Sequence, residues 1–138
     1  MKRVLMIAAV LMMLLCGCGG NGEAPMSAKF ADTNMIVDNM FIAEDSEYIT
    51  YILFTAEDNV KDVRVYTMEL NEEGLVPAEE LYGAEGMKKN ETLLGGVVFW
   101  GDMTTYGMSL VDSNGMSRTY ELAMSGKDGS LIFSETTE

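Results

Sequence analysis

Apolar runs separated by acidic or glycine-containing turns fill the chain from residue 34 onward. Residues 33–44, 47–57 and 60–70 are rich in Ile, Val, Tyr, Phe and Thr, which favour β-strands. The run 47–57 is apolar on both faces, which predicts a central strand. Residues 60–70 alternate, with Val63 and Val65 on one side and polar residues on the other, which predicts a half-buried strand.

Four further strand-like runs follow residue 91. Asn114-Gly115 between two of them is a strong hairpin signal, and Gly126 and Gly129 frame the next turn. About seven short strands with few helix signals predict an all-β antiparallel sandwich, with an immunoglobulin-like arrangement expected first and a small β-barrel as the alternative. The four runs are residues 92–100, 104–111, 117–124 and 131–135.

The segment 71–91 breaks this pattern with six acids, three glycines and Pro77. Pro suits the first position of a helix, so a single helical turn after Pro77 is conceivable. The segment is expected to be an acidic crossover loop between two sheets, with a functional lid as the alternative. Four of its acids are candidates for contact with a basic partner: Glu72, Glu73, Glu79 and Glu80.

The N-terminus has the pattern of a secretory signal. Lys2 and Arg3 precede an apolar run over residues 4–15. That run is shorter than the roughly 20 residues of a bilayer span. A charged start, a short apolar middle and a small-residue end indicate a cleaved signal peptide.

The end of this run, Leu15-Cys16-Gly17-Cys18, resembles the lipobox of bacterial lipoproteins. Only Cys18 fits, because a small glycine precedes it, whereas bulky Leu15 precedes Cys16. The resemblance implies cleavage before Cys18, a thioether-linked lipid on its sulfur and an anchor on the outer face of the bacterial cell membrane, or in the outer membrane of a Gram-negative cell. An ordinary signal peptide cut elsewhere is the alternative.

The lipobox interpretation divides the chain into a signal peptide (1–17), a lipidated flexible tether (18–31) and a single β domain (32–138). The tether carries three glycines and a proline after Cys18, and reaches roughly 20 Å at about 5–6 Å × √n. Lipobox, tether, size and strand count together resemble the small lipoproteins with immunoglobulin-like domains of Gram-positive bacteria. That resemblance implies no catalytic residue.

Composition narrows the function classes. The 138 residues include 9 Lys+Arg and 22 Asp+Glu, a formal charge of −13, and no histidine. The acidity argues against nucleic acid, and a chain without histidine lacks the usual proton shuttle and the commonest metal ligand. Loss of Lys2 and Arg3 with the leader leaves 7 basic and 22 acidic residues, a charge of −15. Such a charge favours a basic protein or peptide as partner; the alternative is that it only keeps the domain soluble and off the membrane.

Calcium is the first chemistry to test in an acidic chain. Asp112, Asn114, Gly115 and Glu121 match positions 3, 5, 6 and 12 of an EF-hand loop. Position 1 falls on Leu110, where the ion needs an oxygen ligand. A hairpin turn is therefore expected there, and neither a metal nor a cofactor is predicted.

Catalytic groups are equally sparse. Lipidation of Cys18 and loss of Cys16 leave no free thiol. Ser125 and Lys127 are expected in a turn flanked by glycines, where the lysine is solvent-exposed and protonated. Ser–Lys catalysis instead needs a desolvated lysine close to the hydroxyl. Two carboxylates meeting from different strands would suit glycoside hydrolysis, but 22 acids make such a pair expected by chance.

Aromatic residues and nine methionines after the leader suit a soft contact surface. Phe99 and Tyr106 are expected in the core, and Trp100, followed by Gly101-Asp102, is the best candidate for a partner contact. The expected function is that of a non-enzymatic binding or accessory module of the cell envelope. A carboxylate-based envelope hydrolase and a structural lipoprotein without a discrete ligand are the alternatives.

Overall fold

The computed structural model describes residues 24–32, 34–99 and 105–136. Within these ranges the chain forms nine β-strands, and no helix there is long and apolar enough to cross a membrane. The strands are β1 (Met26–Phe30), β2 (Asn39–Ile42), β3 (Thr50–Ala56), β4 (Val60–Asn71), β5 (Gly74–Met87), β6 (Thr92–Val97), β7 (Tyr106–Val111), β8 (Ser117–Met124) and β9 (Leu131–Glu135).

The strands form two sheets, of order β1-β3-β6-β2 and β5-β4-β7-β8-β9. Neighbours pair antiparallel, except that β2 runs parallel to β6. The described strands form no closed barrel, so the barrel alternative is wrong, and the prediction of an all-β protein is confirmed. The two-sheet arrangement is that of a β-sandwich.

The core lies between the two sheets and draws on both of them. In β3, Ile52 and Phe54 are fully buried against Leu93 of β6, and in β4 Val63 and Val65 are buried from the opposite sheet. Burying each such side chain contributes about 1.5–3 kcal/mol relative to leaving it exposed. The predictions of a central strand at β3 and a half-buried strand at β4 are therefore confirmed.

The two predicted turns also form. The turn between β7 and β8 places Gly115 at φ 82°, and the turn between β8 and β9 places Gly129 at φ 74°. Both values lie in the left-handed region, which glycine enters without steric cost. In the first turn, Asp112 Oδ1 accepts hydrogen bonds from the backbone N–H groups of Asn114 and Met116, both at 2.9 Å.

The prediction of an acidic loop over 71–91 is wrong. Most of that segment is β5, which pairs with β4 from Asn71 opposite Gly74 to Val60 opposite Met87. Pro77 starts no helical turn; it lies within β5, opposite Met68. Since β5 is an edge strand, proline and exposed acids fit it well: both blunt an edge against pairing with other chains.

The β4–β5 hairpin extends beyond the rest of its sheet. Pairing between β4 and β7 ends with Thr67 opposite Tyr106. Past that point β4 pairs only with β5 among the described strands, and the cross-strand pair Leu70 and Leu75 is exposed at 77% and 42%. The hairpin tip is therefore a two-stranded arm.

The first strand, β1, lies inside the segment predicted as a tether. Met26 pairs with Ala56 across the β1–β3 ladder, and both side chains are buried, with 1% and 0% exposure. Residues 26–30 thus belong to the sheet. The connection from β1 to β2 joins opposite edges of the four-stranded sheet and passes over its outer surface, where Met35 lines a pocket with residues of β2, β3 and β6.

Candidate binding surface

The outer face of the four-stranded sheet carries apolar side chains, where the solvent side of an antiparallel sheet usually carries polar ones. Because Phe54 points into the core, alternation turns Tyr51 and Leu53 of β3 outward. Leu94 of β6 lies opposite Leu53, and Met40 of β2 lies beside Leu94. One row of apolar side chains thus crosses three strands.

A second apolar row converges over a glycine. Gly96 of β6 stands between Tyr51 and Ile42 in the sheet register. A Cβ on Gly96 would lie 2.8 Å from Ile42 Cδ1, 3.1 Å from Ile49 Cγ2 and 3.1 Å from Tyr51 Cε1. Three side chains therefore pack down onto this backbone position. The outer apolar face is defined here as Met35, Met40, Ile42, Ile49, Tyr51 and Leu94.

Much of this face is open to solvent. Met40, Ile42 and Tyr51 are 51%, 43% and 41% exposed, and neighbouring Ile36 is 96% exposed. A shallow pocket of about 260 Å³ lies within the face. Scattered exposed apolar residues are ordinary, whereas large contiguous apolar patches are common at interaction sites. The pocket is lined by Ala31, Asp32, Met35, Met40, Tyr51 and Leu94.

Acidic residues border the outer apolar face. Glu44, Asp45 and Glu47 lie in the connection between β2 and β3, next to the Ile42–Tyr51 row. Asp32 lines the pocket, and Asp38 precedes β2. The only basic residue in positions 29–51 is Lys29, on β1. The border of the face is therefore strongly negative.

The four acids predicted to contact a partner do not form one cluster. Glu72 and Glu73 occupy the tip of the β4–β5 hairpin, and Glu79 lies on the exposed edge strand. Glu80 accepts a hydrogen bond from Arg64 Nη1 at 2.8 Å, and this contact raises the pKa of Arg64. They line an edge, where charge keeps a strand soluble.

The remaining predicted site residues have different outcomes. Cys18 and Trp100 lie outside the described residues. Tyr106 is in the core, as predicted, and the half-buried Phe99 packs against it with ring centroids 6.0 Å apart at 81°. The Tyr106 hydroxyl donates to the Val98 carbonyl at 2.9 Å, and burial raises the pKa of this tyrosine.

A charge network closes one end of the sandwich. Arg118 binds Glu135 through Nε and Nη2, both at 2.8 Å, and binds Asp112 Oδ2 through Nη1 at 3.0 Å. The backbone N–H of Met116 and the guanidinium hold the pKa of Asp112 low, and the same guanidinium lowers the pKa of Glu135. Nearby Tyr120 is 4% exposed, and its hydroxyl has no hydrogen-bond partner among the described residues.

This network is unsuited to glycoside hydrolysis. A hydrolase of that kind needs one carboxylic acid with a raised pKa to protonate the leaving group. The pKa of Asp112 is lowered by the Met116 backbone N–H and then by the Arg118 guanidinium, and the same guanidinium lowers the pKa of Glu135. Their arrangement holds the β7–β8 hairpin against β9.

A second concavity, of about 910 Å³, lies at the same end, between the loop after β5 and the β7–β8 turn. Its rim mixes Lys61 and Lys88 with Glu85, Glu91 and Asp112. The rim therefore carries charges of both signs. This mixed rim contrasts with the border of the outer apolar face, where five acids and one lysine lie in positions 29–51.

The metal and nucleophile candidates do not assemble. Residues 112–115 form a hairpin turn instead of a calcium loop, and Ser125 and Lys127 lie in the β8–β9 turn. In the part of the chain that the structure describes, three or more potential acidic, His or Cys ligands never come together in a group able to hold a metal ion.

Comparison with known proteins gives no family. No protein-family model, curated protein or solved structure matches this chain significantly.

Sequence reasoning missed the outer apolar face, although a signal was present. The run 47–57 is apolar on both faces, which predicts a central strand. One face of β3 is indeed in the core, but the other is the outer apolar face. Met40 and Leu94 join it through the parallel β2–β6 pairing, which no local pattern predicts.

Proposed function

We propose that this protein is a lipid-anchored, non-enzymatic binding module on the outer face of a bacterial membrane. The observation that supports it best is the outer apolar face, a group of neighbouring apolar side chains with a mostly acidic border. A protein that works alone would gain solubility from polar side chains there. A binding module uses such a surface to hold a partner.

We further propose that the sandwich is of immunoglobulin-like type. In that fold, strands A, B and E share one sheet and strands C, F and G share the other, with C′ beside C. Seven of the nine strands follow these orders when β1, β3 and β6 are assigned to A, B and E, and β5, β4, β7 and β8 to C′, C, F and G. Two strands depart from the pattern: β2 stands beside E but precedes B along the chain, and β9 follows G.

The anchor would also orient the domain. Ala24 lies next to the β3–β4 and β7–β8 loops, six residues beyond Cys18. Six residues span at most about 20 Å when extended. A lipid on Cys18 would thus hold that end of the sandwich near the membrane and direct the acidic β2–β3 connection and the hairpin tip away from it.

Two measurements in a producing bacterium test the proposal. The wild-type protein should fractionate with membranes and partition into detergent, whereas Cys18→Ala should remain an unprocessed precursor. A photo-cross-linking residue at position 51 should give a discrete, saturable protein adduct. The same residue at position 109, on the outer face of the other sheet, is the matched control and should give none.

Opposite results would overturn the proposal. Normal maturation and release of Cys18→Ala would contradict lipid anchoring. Equal adducts from positions 51 and 109 would contradict the assignment of a binding surface to the outer apolar face. Turnover of an envelope glycan or peptide, lost on a single carboxylate substitution such as Glu91→Ala, would establish the hydrolase instead.

A further inference from the structure

The chemistry of the outer apolar face and its border narrows the class of partner. The apolar rows run across β2, β3 and β6, with the Tyr51, Gly96 and Ile42 positions adjacent in register. A partner that covers them must offer its own apolar side chains. The pocket of about 260 Å³ beside Tyr51 and Met40 is large enough for one aliphatic side chain of that partner.

The border determines the partner's charge. Five acids and a single lysine lie between positions 29 and 51. Among the ion pairs of the described residues, none includes Glu44, Asp45 or Glu47. These carboxylates are therefore available to a cationic group that approaches the face, and several acting together steer association.

The same charges disfavour two other occupants. A second copy of this chain would bring its own acidic border against this one, and like charges facing each other across an interface oppose association. Anionic lipid headgroups would be repelled in the same way. The proposed anchor also directs the acidic β2–β3 connection away from the membrane surface.

We propose that the outer apolar face binds a cationic amphipathic segment of a partner protein. Its apolar side chains cover Met40, Ile42 and Tyr51, and its Lys or Arg residues reach Glu44, Asp45 and Glu47. The methionines of the face suit this role, since Met repacks against varied apolar shapes. This inference rests on the proposed function and names the partner class for the same surface.

The test uses the full-length protein reconstituted in zwitterionic phosphatidylcholine nanodiscs, with protein-free nanodiscs as the baseline. The probe is a synthetic amphipathic helix of about 14 Leu and Lys residues, or four turns. One matched peptide replaces each Lys with Glu, and another scrambles the Leu–Lys order so that no apolar face remains. Saturable 1:1 binding of the first peptide alone is the expected result.

Two sets of variants locate the site. Met40→Ser with Tyr51→Ser should weaken binding at least about tenfold, as for the central contacts of an interface. Leu70→Ser with Met116→Ser removes two exposed apolar side chains elsewhere, at 77% and 61% exposure, and should leave binding unchanged. Glu44→Gln, Asp45→Asn and Glu47→Gln together should reduce the salt dependence, whereas Glu72→Gln, Glu73→Gln and Glu79→Gln should not.

Several outcomes overturn the inference. If the Glu peptide binds as tightly as the Lys peptide, the partner need not be cationic. If the Leu70/Met116 control loses as much affinity as the Met40/Tyr51 variant, the binding site is not this face. If the protein self-associates or binds anionic vesicles, and Tyr51→Ser abolishes that association, the face binds a second copy of the chain or a lipid surface instead. Failure to enter nanodiscs counts only against the lipid anchor, because the same titration on the soluble protein still tests the face.

Discussion

Tyr51 lies against the backbone of Gly96, its antiparallel partner in the β3–β6 ladder: a Cβ on the glycine would stand 3.1 Å from Tyr51 Cε1. The same Cβ would stand 2.8 Å from Ile42 Cδ1. The absence of a side chain at residue 96 therefore determines how closely the outer apolar face packs.

Gly96→Ala should consequently disturb the face more than the fold. Insertion of one methyl group displaces the ends of Ile42, Ile49 and Tyr51, with a stability cost of about 1 kcal/mol, at the lower end for overpacking. Binding of the Leu–Lys peptide should weaken severalfold. Denaturant unfolding and peptide titration measure the two effects.

Gly83→Ala is the matched control for that substitution. A Cβ there meets chiefly the Glu80 carboxylate, 2.7 Å away at the end of an exposed, flexible side chain. Stability and peptide binding should both be nearly unchanged. If the two alanine variants behave alike, Gly96 has no special part in shaping the face.

The packing of β1 predicts that the domain begins before residue 32. Met26 is 1% exposed and belongs to the core cluster. Met26→Ala should lower the free energy of unfolding by about 2–5 kcal/mol, the usual range for removing a buried methionine side chain. Met116→Ala, at a side chain 61% exposed, should change it little. Denaturant titrations give both values, and equal stability of the two variants would mean that β1 does not pack as described.

The Arg118 network predicts a loss of stability in acid. The folded-state pKa values of Asp112 and Glu135 are lowered, whereas unfolded carboxyls titrate near pH 3.9 for Asp and 4.3 for Glu. The stabilisation is therefore complete above about pH 5 and is lost as pH falls through the folded-state pKa values. The Tm should decline steeply below about pH 4.

Arg118→Met should lower the Tm at pH 7 and flatten its decline in acid. Glu135 loses the guanidinium that chiefly lowers its pKa, whereas Asp112 loses the guanidinium but keeps the hydrogen bond from the Met116 N–H. Arg64→Met is the control, since Arg64 and its partners Asp62 and Glu80 are all about half exposed. That variant should keep the wild-type pH profile. A steep acid transition that persists in Arg118→Met would assign acid sensitivity to other carboxylates.

The strands of the core could be predicted from the sequence better than the outer apolar face, and particular residues show why. Strands such as β4 alternate strictly around Val63 and Val65, so burial could be predicted from period two. β5 is hard to predict because its sequence is typical of an edge strand. Pro77 and the acids disfavour pairing of its open edge with another chain, and they also hide the usual strand pattern. β1 is hard to predict because the strand has only five residues and follows a glycine-containing segment that suggests a tether.

The candidate site was less predictable still. The acids at 72–80 were candidates for partner contact only because they are dense in the sequence. In the fold they line the edge of a sheet, and Glu80 accepts a hydrogen bond from Arg64. Met40, Tyr51 and Leu94 are separated in the sequence by up to 54 positions. They become neighbours only through the long-range β3–β6 and β2–β6 pairings.

Thiol labelling in intact cells tests most directly whether the outer apolar face holds a partner outside the membrane. Tyr51→Cys and Leu70→Cys are treated with a membrane-impermeant maleimide, in cells and again after purification. We expect Leu70→Cys to label in both settings, and Tyr51→Cys to label when purified but to be protected in cells. Equal labelling of both positions in cells would contradict a covered binding face, and failure of Leu70→Cys to label in cells would contradict the extracytoplasmic location.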